Sequence, residues 1–201
     1  GLNILLTVPY IGNVVRYWGY KLKSKAPSVQ NVADEKTGVD WIIGAFIMVR
    51  KNALGKTGLL DEDFFMYAEE IEWCSRLKKQ GSLYLFSEPQ VVHIGGGSSR
   101  SAFDTNGWDN TYDVWSRKAA QIMLSNLVRV RKEFGVFWFF VILFFYIIGI
   151  LVFFTGFFIE KLIGGKRYQW SNVAGYTRNV FTILKYFFRI VSNQPFFYKL
   201  S

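Results

Sequence analysis

The chain has 201 residues, 51% hydrophobic and 19% aromatic, with 20 Phe, a formal net charge of +9 and a pI near 9.6. A single cysteine, Cys74, excludes an internal disulfide framework, and no nucleic-acid motif accompanies the positive charge, so nucleic acid is not expected as a partner. Many Lys and Arg residues instead flank a long apolar run, among them Arg129, Arg131, Lys132, Lys161, Lys166 and Arg167, which points to anionic lipid headgroups.

In chain order, the opening Gly1-Leu2-Asn3-Ile4-Leu5-Leu6 has no initiator Met, no basic n-region and no cleavage site, so it is not a signal peptide. It reads as a strand entered midway, and the expectation is a fragment whose N-terminal part lies upstream. Residues 1–38 read as an irregular surface connection. Val39–Val49 is apolar and β-rich around Gly44, and predicts two short strands or one strand with a bulge at Gly44-Ala45.

Glu69–Gln80 has helical spacing at Ile71, Cys74 and Leu77, with Gly81 as the stop. Glu69, Glu70 and Glu72 fall in its first turn and Arg76, Lys78 and Lys79 late, a polarity that suits the helix dipole. Leu83–Phe86 predicts a strand ended by Pro89. Val91–Ile94 predicts another, running into Gly95-Gly96-Gly97-Ser98-Ser99. Residues 100–113 are a polar loop. Val114–Lys132 predicts an amphipathic helix with Ala119, Ile122, Met123, Leu127 and Val130 on its apolar side.

Val136–Ile159 contains no charge. As a helix it would extend about 36 Å against roughly 30 Å of hydrocarbon. Basic residues on both flanks leave two placements open, one span or an in-plane or re-entrant arrangement. Gly149 and Gly156 offer places for a kink. Val180–Val191, with Lys185 and Arg189, is suited to lie flat in the interface.

The residues that carry chemistry lie between Asp40 and Ser99. Glu69 and Glu70 stand at a helix start, where free N–H groups and the dipole favour the carboxylate form, and an ionised carboxylate serves as a general base. Ordinary helix-end charge explains the same residues, and Glu72 with Arg76 is an i, i+4 ion pair. His93, the only histidine, is a structural residue or a metal ligand. The glycines after it allow backbone N–H groups to approach an anion.

The order Asp40-Trp41-Ile42-Ile43-Gly44-Ala45-Phe46, then Gly58-Leu59-Leu60-Asp61-Glu62-Asp63-Phe64-Phe65-Met66-Tyr67-Ala68-Glu69-Glu70, then His93 with its Gly/Ser tail, resembles family 2 glycosyltransferases of the bacterial rhamnosyltransferase-like kind. The resemblance covers about Val39–Ser99 and the C-terminal half of that catalytic domain. It implies an α/β class and a partial GT-A fold over residues 1–113, followed by an amphipathic and membrane-associated helical tail over 114–201. It implies inverting transfer from a nucleotide-sugar donor to a saccharide or lipid-linked saccharide acceptor, assisted by a divalent metal, Mg2+ or Mn2+. Glu70, beside Glu69, takes the place of the family's catalytic Asp. His93 matches a metal-holding position, Ser98 and Ser99 would lie near the donor pyrophosphate, and Asp40, Trp41, Gly44 and Ala45 would line the sugar or acceptor side. Asp61-Glu62-Asp63 matches the Asp-Glu turn of the family and not its metal-binding Asp-x-Asp.

Glu70 and Glu72 depart from the family, where Asp is usual, and the extra methylene displaces a carboxylate by about 1 Å. The donor-binding half is not visible, so this stretch alone is expected to be inactive. The expected location is the cytoplasmic face of the inner membrane, where nucleotide sugars and lipid-linked acceptors meet. The competing reading is a non-catalytic membrane-anchored binding or interaction protein.

Overall fold

The structure is a computed structural model that describes residues 8–22, 36–88, 90–92 and 113–200. Six helices and two strands make up the described residues: α1 Ile11–Leu22, β1 Lys36–Val39, α2 Lys51–Thr57, α3 Glu69–Lys78, β2 Leu83–Phe86, α4 Arg117–Leu162, α5 Trp170–Leu184 and α6 Phe187–Val191. The strands pair antiparallel, Lys36 opposite Phe86 and Val39 opposite Leu83. The described residues are thus mixed but mainly helical, with one two-stranded sheet and one long apolar helix, which is only loosely consistent with a partial α/β domain.

Several elements differ from their sequence-based expectation. Residues 11–22, expected to be irregular, are helical. The apolar run after Val39 is not a strand. It leaves the sheet at Asp40 and continues as non-strand chain through Gly44-Ala45, because its side chains and backbone meet α3 and not a third strand. α3 ends at Lys78, with Lys79 as its cap, ahead of Gly81. Val91 and Val92 are in no strand, and the rest of that expected strand, with residues 100–112, lies outside the described residues.

α4 is the decisive element. Gly135 interrupts it at φ 86° and ψ −177°, a conformation that is essentially glycine-only. A straight helix would hold Trp115 and Phe153 about 55 Å apart, yet their rings lie 6.2 Å from each other. The helix therefore doubles back at Gly135 into a first arm (residues 117–134) and an apolar second arm (136–162). α5 returns along the second arm: Trp170 meets Phe154 and Phe157, the Tyr176 hydroxyl donates to the Tyr146 carbonyl at 2.9 Å, and Phe187 meets Phe139 and Phe140.

Gly149 and Gly156 do not kink the second arm. They are notches: a Cβ at Gly149 would fall on the Tyr176 hydroxyl, and one at Gly156 would come within 2.7 Å of the Tyr10 ring. Buried Asn179 ties α5 to the start of α4, donating to the Val114 and Ser116 carbonyls at 3.1 and 2.8 Å. One hydrophobic core runs from Phe64 and Ala68 through the first arm to the second arm and α5. α4 is the one helix among the described residues that is long and apolar enough to cross a membrane, by length and composition alone.

Candidate active site

The site is built on the N-terminal end of α3. Segment 40–44 runs along this helix in the opposite direction, in a regular register. Asp40 pairs with Lys78, the Ile42 N–H donates to Cys74 Sγ at 3.4 Å, and a Cβ at Gly44 would stand 3.5 Å from Glu70 Cβ. Two residues of extended chain rise about 6.6 Å and four of helix about 6.0 Å, so the two steps stay in phase. Gly44 thus packs directly beside the stem of Glu70. Trp41 and Ala45 are exposed on the same segment.

Glu69 and Glu70 are half-buried, and one carboxylate oxygen of each, Oε2, is buried without a hydrogen-bond partner among the described residues. Burial raises the Glu69 carboxyl above its ordinary value. A bond from its own backbone N–H opposes this, and the neighbouring Glu70 charge adds to it. Burial likewise raises the Cys74 thiol, against the Ile42 N–H and with the Glu70 charge. Unpaired carboxylate oxygens at a helix start can accept a proton or a hydroxyl donor from a bound molecule.

The turn ahead of these glutamates is strained. Tyr67 and Ala68 both adopt left-handed backbone, at φ 70° and φ 69°, which costs non-glycine residues of the order of 1–3 kcal/mol each. Distant elements hold the turn in place. Ser125 Oγ donates to the Met66 carbonyl at 2.8 Å, and the Tyr198 N–H donates to the Asp63 carbonyl at 2.9 Å beside a parallel bridge between Phe64 and Tyr198. The Phe196 N–H donates to Asp63 Oδ1 at 3.0 Å. Buried Gln121 then pairs with the same C-terminal residues, donating to the Tyr198 carbonyl at 2.8 Å and accepting from the Leu200 N–H at 3.0 Å.

Asp61 and Asp63 share one cation, the Lys132 ammonium, at 2.5 and 2.6 Å. Burial disfavours the charged form of Asp61, but Lys132, the Asp63 N–H and Arg76 outweigh it and leave the carboxyl below its ordinary value. Burial also opposes the Lys132 charge, and the two aspartates overcome it and raise the ammonium. Glu72 is buried and holds Arg76 through two oxygens at 2.7–3.0 Å. Arg76 then reaches the Thr57 carbonyl and donates to the Leu59 carbonyl at 2.9 Å, tying α3 to the end of α2.

The structure thus brings Asp40 and Gly44 alongside α3, places Glu69 and Glu70 at its N-terminal end, and gives Glu72 and Arg76 a structural bond. His93, Ser98 and Ser99 lie outside the described residues. Among the described residues no three His, Cys, Asp or Glu side chains cluster in a way that would hold a metal. Sequence reasoning missed Ser125, Gln121, Lys132 and Tyr198. Their only local signal is a polar residue on the apolar side of a helix, or an aromatic in an apolar run.

No family model matches the chain, and no solved structure matches it. It is similar to rhamnosyltransferase WbbL of Escherichia coli K12, 33% identical over 82 residues, which is 40% of this chain and 30% of that protein. It is also similar to N-acetylglucosaminyl-diphospho-decaprenol L-rhamnosyltransferase of Mycobacterium tuberculosis, 30% identical over 78 residues in strains CDC 1551 and H37Rv, covering 38% of this chain and 25% of the relative. The matched stretch spans less than a third of the length of these curated relatives. At this coarse level the homologues are sugar transferases, and they support a glycosyltransferase over part of the chain.

Proposed function

We propose that the chain supplies the acceptor side and general base of an inverting, family 2-like glycosyltransferase that works at a membrane. The observation that carries this reading is the pair Glu69–Glu70, each with an unpartnered buried oxygen, set on a strained turn opposite Gly44. Strain and unsatisfied polar atoms cluster where chemistry is done. The names of the relatives make a rhamnose donor and a diphosphoprenol-linked N-acetylglucosamine acceptor the first substrates to test.

In this reading Glu70 takes the proton from an acceptor hydroxyl as that oxygen attacks the anomeric carbon, and the nucleotide diphosphate leaves from the opposite face. Glu69, held above its ordinary value by burial, sits beside it and orients or shares the proton. Exposed Trp41 offers an apolar ring face for the acceptor sugar. His93, Ser98 and Ser99 would serve the metal and the donor pyrophosphate. Among the described residues the carboxylates form no divalent-cation site, and Asp61 and Asp63 are taken by Lys132. The cytoplasmic face of the inner membrane is the location this chemistry asks for.

The test uses the natural polypeptide that contains this chain. Glu70→Gln is expected to lower the rate of sugar transfer by about 10²–10⁴-fold while leaving donor binding intact. Glu69→Gln is expected to lower the rate less than Glu70→Gln does, since Glu69 only stands beside the base. Full turnover in both glutamine variants would remove the carboxylate pair as the base.

A further inference from the structure

The apolar second arm of α4 does not stand away from the rest of the chain. It lies along the first arm, and the other side of the first arm carries Lys132 with Asp61 and Asp63, and Ser125 with Met66. An orientation with the second arm across a bilayer would carry the non-helical chain around Met66 and Tyr198, which is bonded to Ser125 and Gln121 midway along the first arm, to membrane depth, where irregular backbone facing lipid is not tolerated. Yet the outward face of that arm is not built for water. Phe140, Phe144, Ile147, Leu151, Phe154 and Phe158 alternate steps of four and three, so they fall on one line about 27 Å long. Each is between 43% and 61% exposed. A continuous exposed apolar line of this kind marks an interaction surface.

The neighbouring surface says what covers it. Arg178, Phe181, Lys185 and Phe188 recur at helical spacing along α5 and α6, all exposed, so that basic and aromatic side chains alternate. From residue 161 to 200 the chain has seven Lys and Arg and no Asp or Glu. A second copy of the same face would set these like charges against one another. A leaflet with anionic headgroups is complementary to them, with Lys and Arg at the phosphates and the Phe line at the acyl boundary.

We propose that the second arm of α4 and α5 lie flat in one leaflet of an anionic membrane, helix axes parallel to its plane, and do not cross it. This inference is independent of the sugar-transfer reading and rests on the hairpin, the exposed apolar line and the basic residues beside it.

Spin labels on Phe140→Cys, Ile147→Cys and Phe158→Cys, one at a time in the full chain bound to phosphatidylcholine–phosphatidylglycerol vesicles, test it by collisional depth measurement. All three labels are expected at one shallow depth, about 5–10 Å into the headgroup–acyl boundary. A deep Ile147 between shallow Phe140 and Phe158 would overturn the proposal in favour of a span. Labels that stay out of lipid while the chain forms dimers would overturn it in favour of a second copy. Oriented circular dichroism of the unsubstituted chain should independently show in-plane helices. The double variant Arg178→Glu, Lys185→Glu should weaken binding to the anionic vesicles by about tenfold or more and leave binding to pure phosphatidylcholine unchanged. Equal binding of both forms to both vesicles would sink the anionic component.

Discussion

The first arm of α4 carries six charged residues, Arg117, Lys118, Arg129, Arg131, Lys132 and Glu133, yet nine of its residues are buried and they spread over about two-thirds of its circumference. The second arm carries no charge from Val136 to Ile159, yet leaves a full stripe of Phe, Ile and Leu exposed. Polarity and burial are inverted between two halves of one helix. The first arm is a central strut whose charges are spent on specific partners: Lys132 on Asp61 and Asp63, Arg129 on Glu133 at 3.3 Å, and Arg131 on the Val191 carbonyl at 2.9 Å. The second arm is half core and half exposed apolar surface. Burial alone does not tell what a helix is for, and neither does hydropathy. The side from which each face is covered does.

Four substitutions break or sharpen this contrast, all read by denaturant or thermal unfolding in a mild detergent. The largest effect belongs to the inner face of the second arm. Phe153 is fully buried against Tyr10, Trp115, Tyr168 and Tyr176, and Phe153→Ala should cost about 4 kcal/mol. Lys132→Met leaves two mostly covered aspartates facing one another, and should cost about 3 kcal/mol. Its pH signature is specific. Asp61 is held below its ordinary value, so its stabilisation is present above that ordinary value and is lost as pH falls through the lowered one. Lys132 is raised, so its share persists below its ordinary value and is lost only as pH climbs through the raised one. The variant should therefore show a flatter acid limb of stability against pH.

Gly135→Ala comes next. A Cβ there meets nothing within 4 Å, so the cost of about 2 kcal/mol is backbone strain alone. An unchanged midpoint would mean that the arms do not fold back at this residue. The smallest effect is expected for Phe144→Ala on the outer stripe, which should change stability by less than about 0.5 kcal/mol despite removing a whole ring. The ratio between the Phe153 and Phe144 results is the sharpest measure of the one-sidedness of the second arm.

The parts of the molecule legible in the sequence are those set by local chemistry. Acidic residues early and basic residues late mark α3, the short apolar run Leu83–Phe86 marks β2, and an uncharged run marks the apolar helix. Tertiary contacts decide what was not legible. Val39–Val49 has β composition, but Asp40, Ile42 and Gly44 find Lys78, Cys74 and Glu70 and not a third strand. Tyr67 and Ala68 adopt left-handed backbone with no glycine to announce it. Gly135 looks like any helical glycine between Phe134 and Val136, whereas Gly149 and Gly156, the better candidates for a bend by position, serve as packing notches. Gln121 and Ser125 read as polar interruptions of a helix face, because their partners lie 77 and 59 positions away.

The hold of residues 196–200 on the turn before α3 has a consequence in time. Asp63 waits for a partner 133 positions further along the chain. At a synthesis rate of about 5–20 residues per second, that interval is roughly 7–27 s. Throughout it the glutamate-bearing turn has no Tyr198 beside it, and the hairpin that supplies Ser125 and Gln121 is still being made. The turn that carries Glu69 and Glu70 is therefore the last part of the described fold to gain its full set of hydrogen bonds.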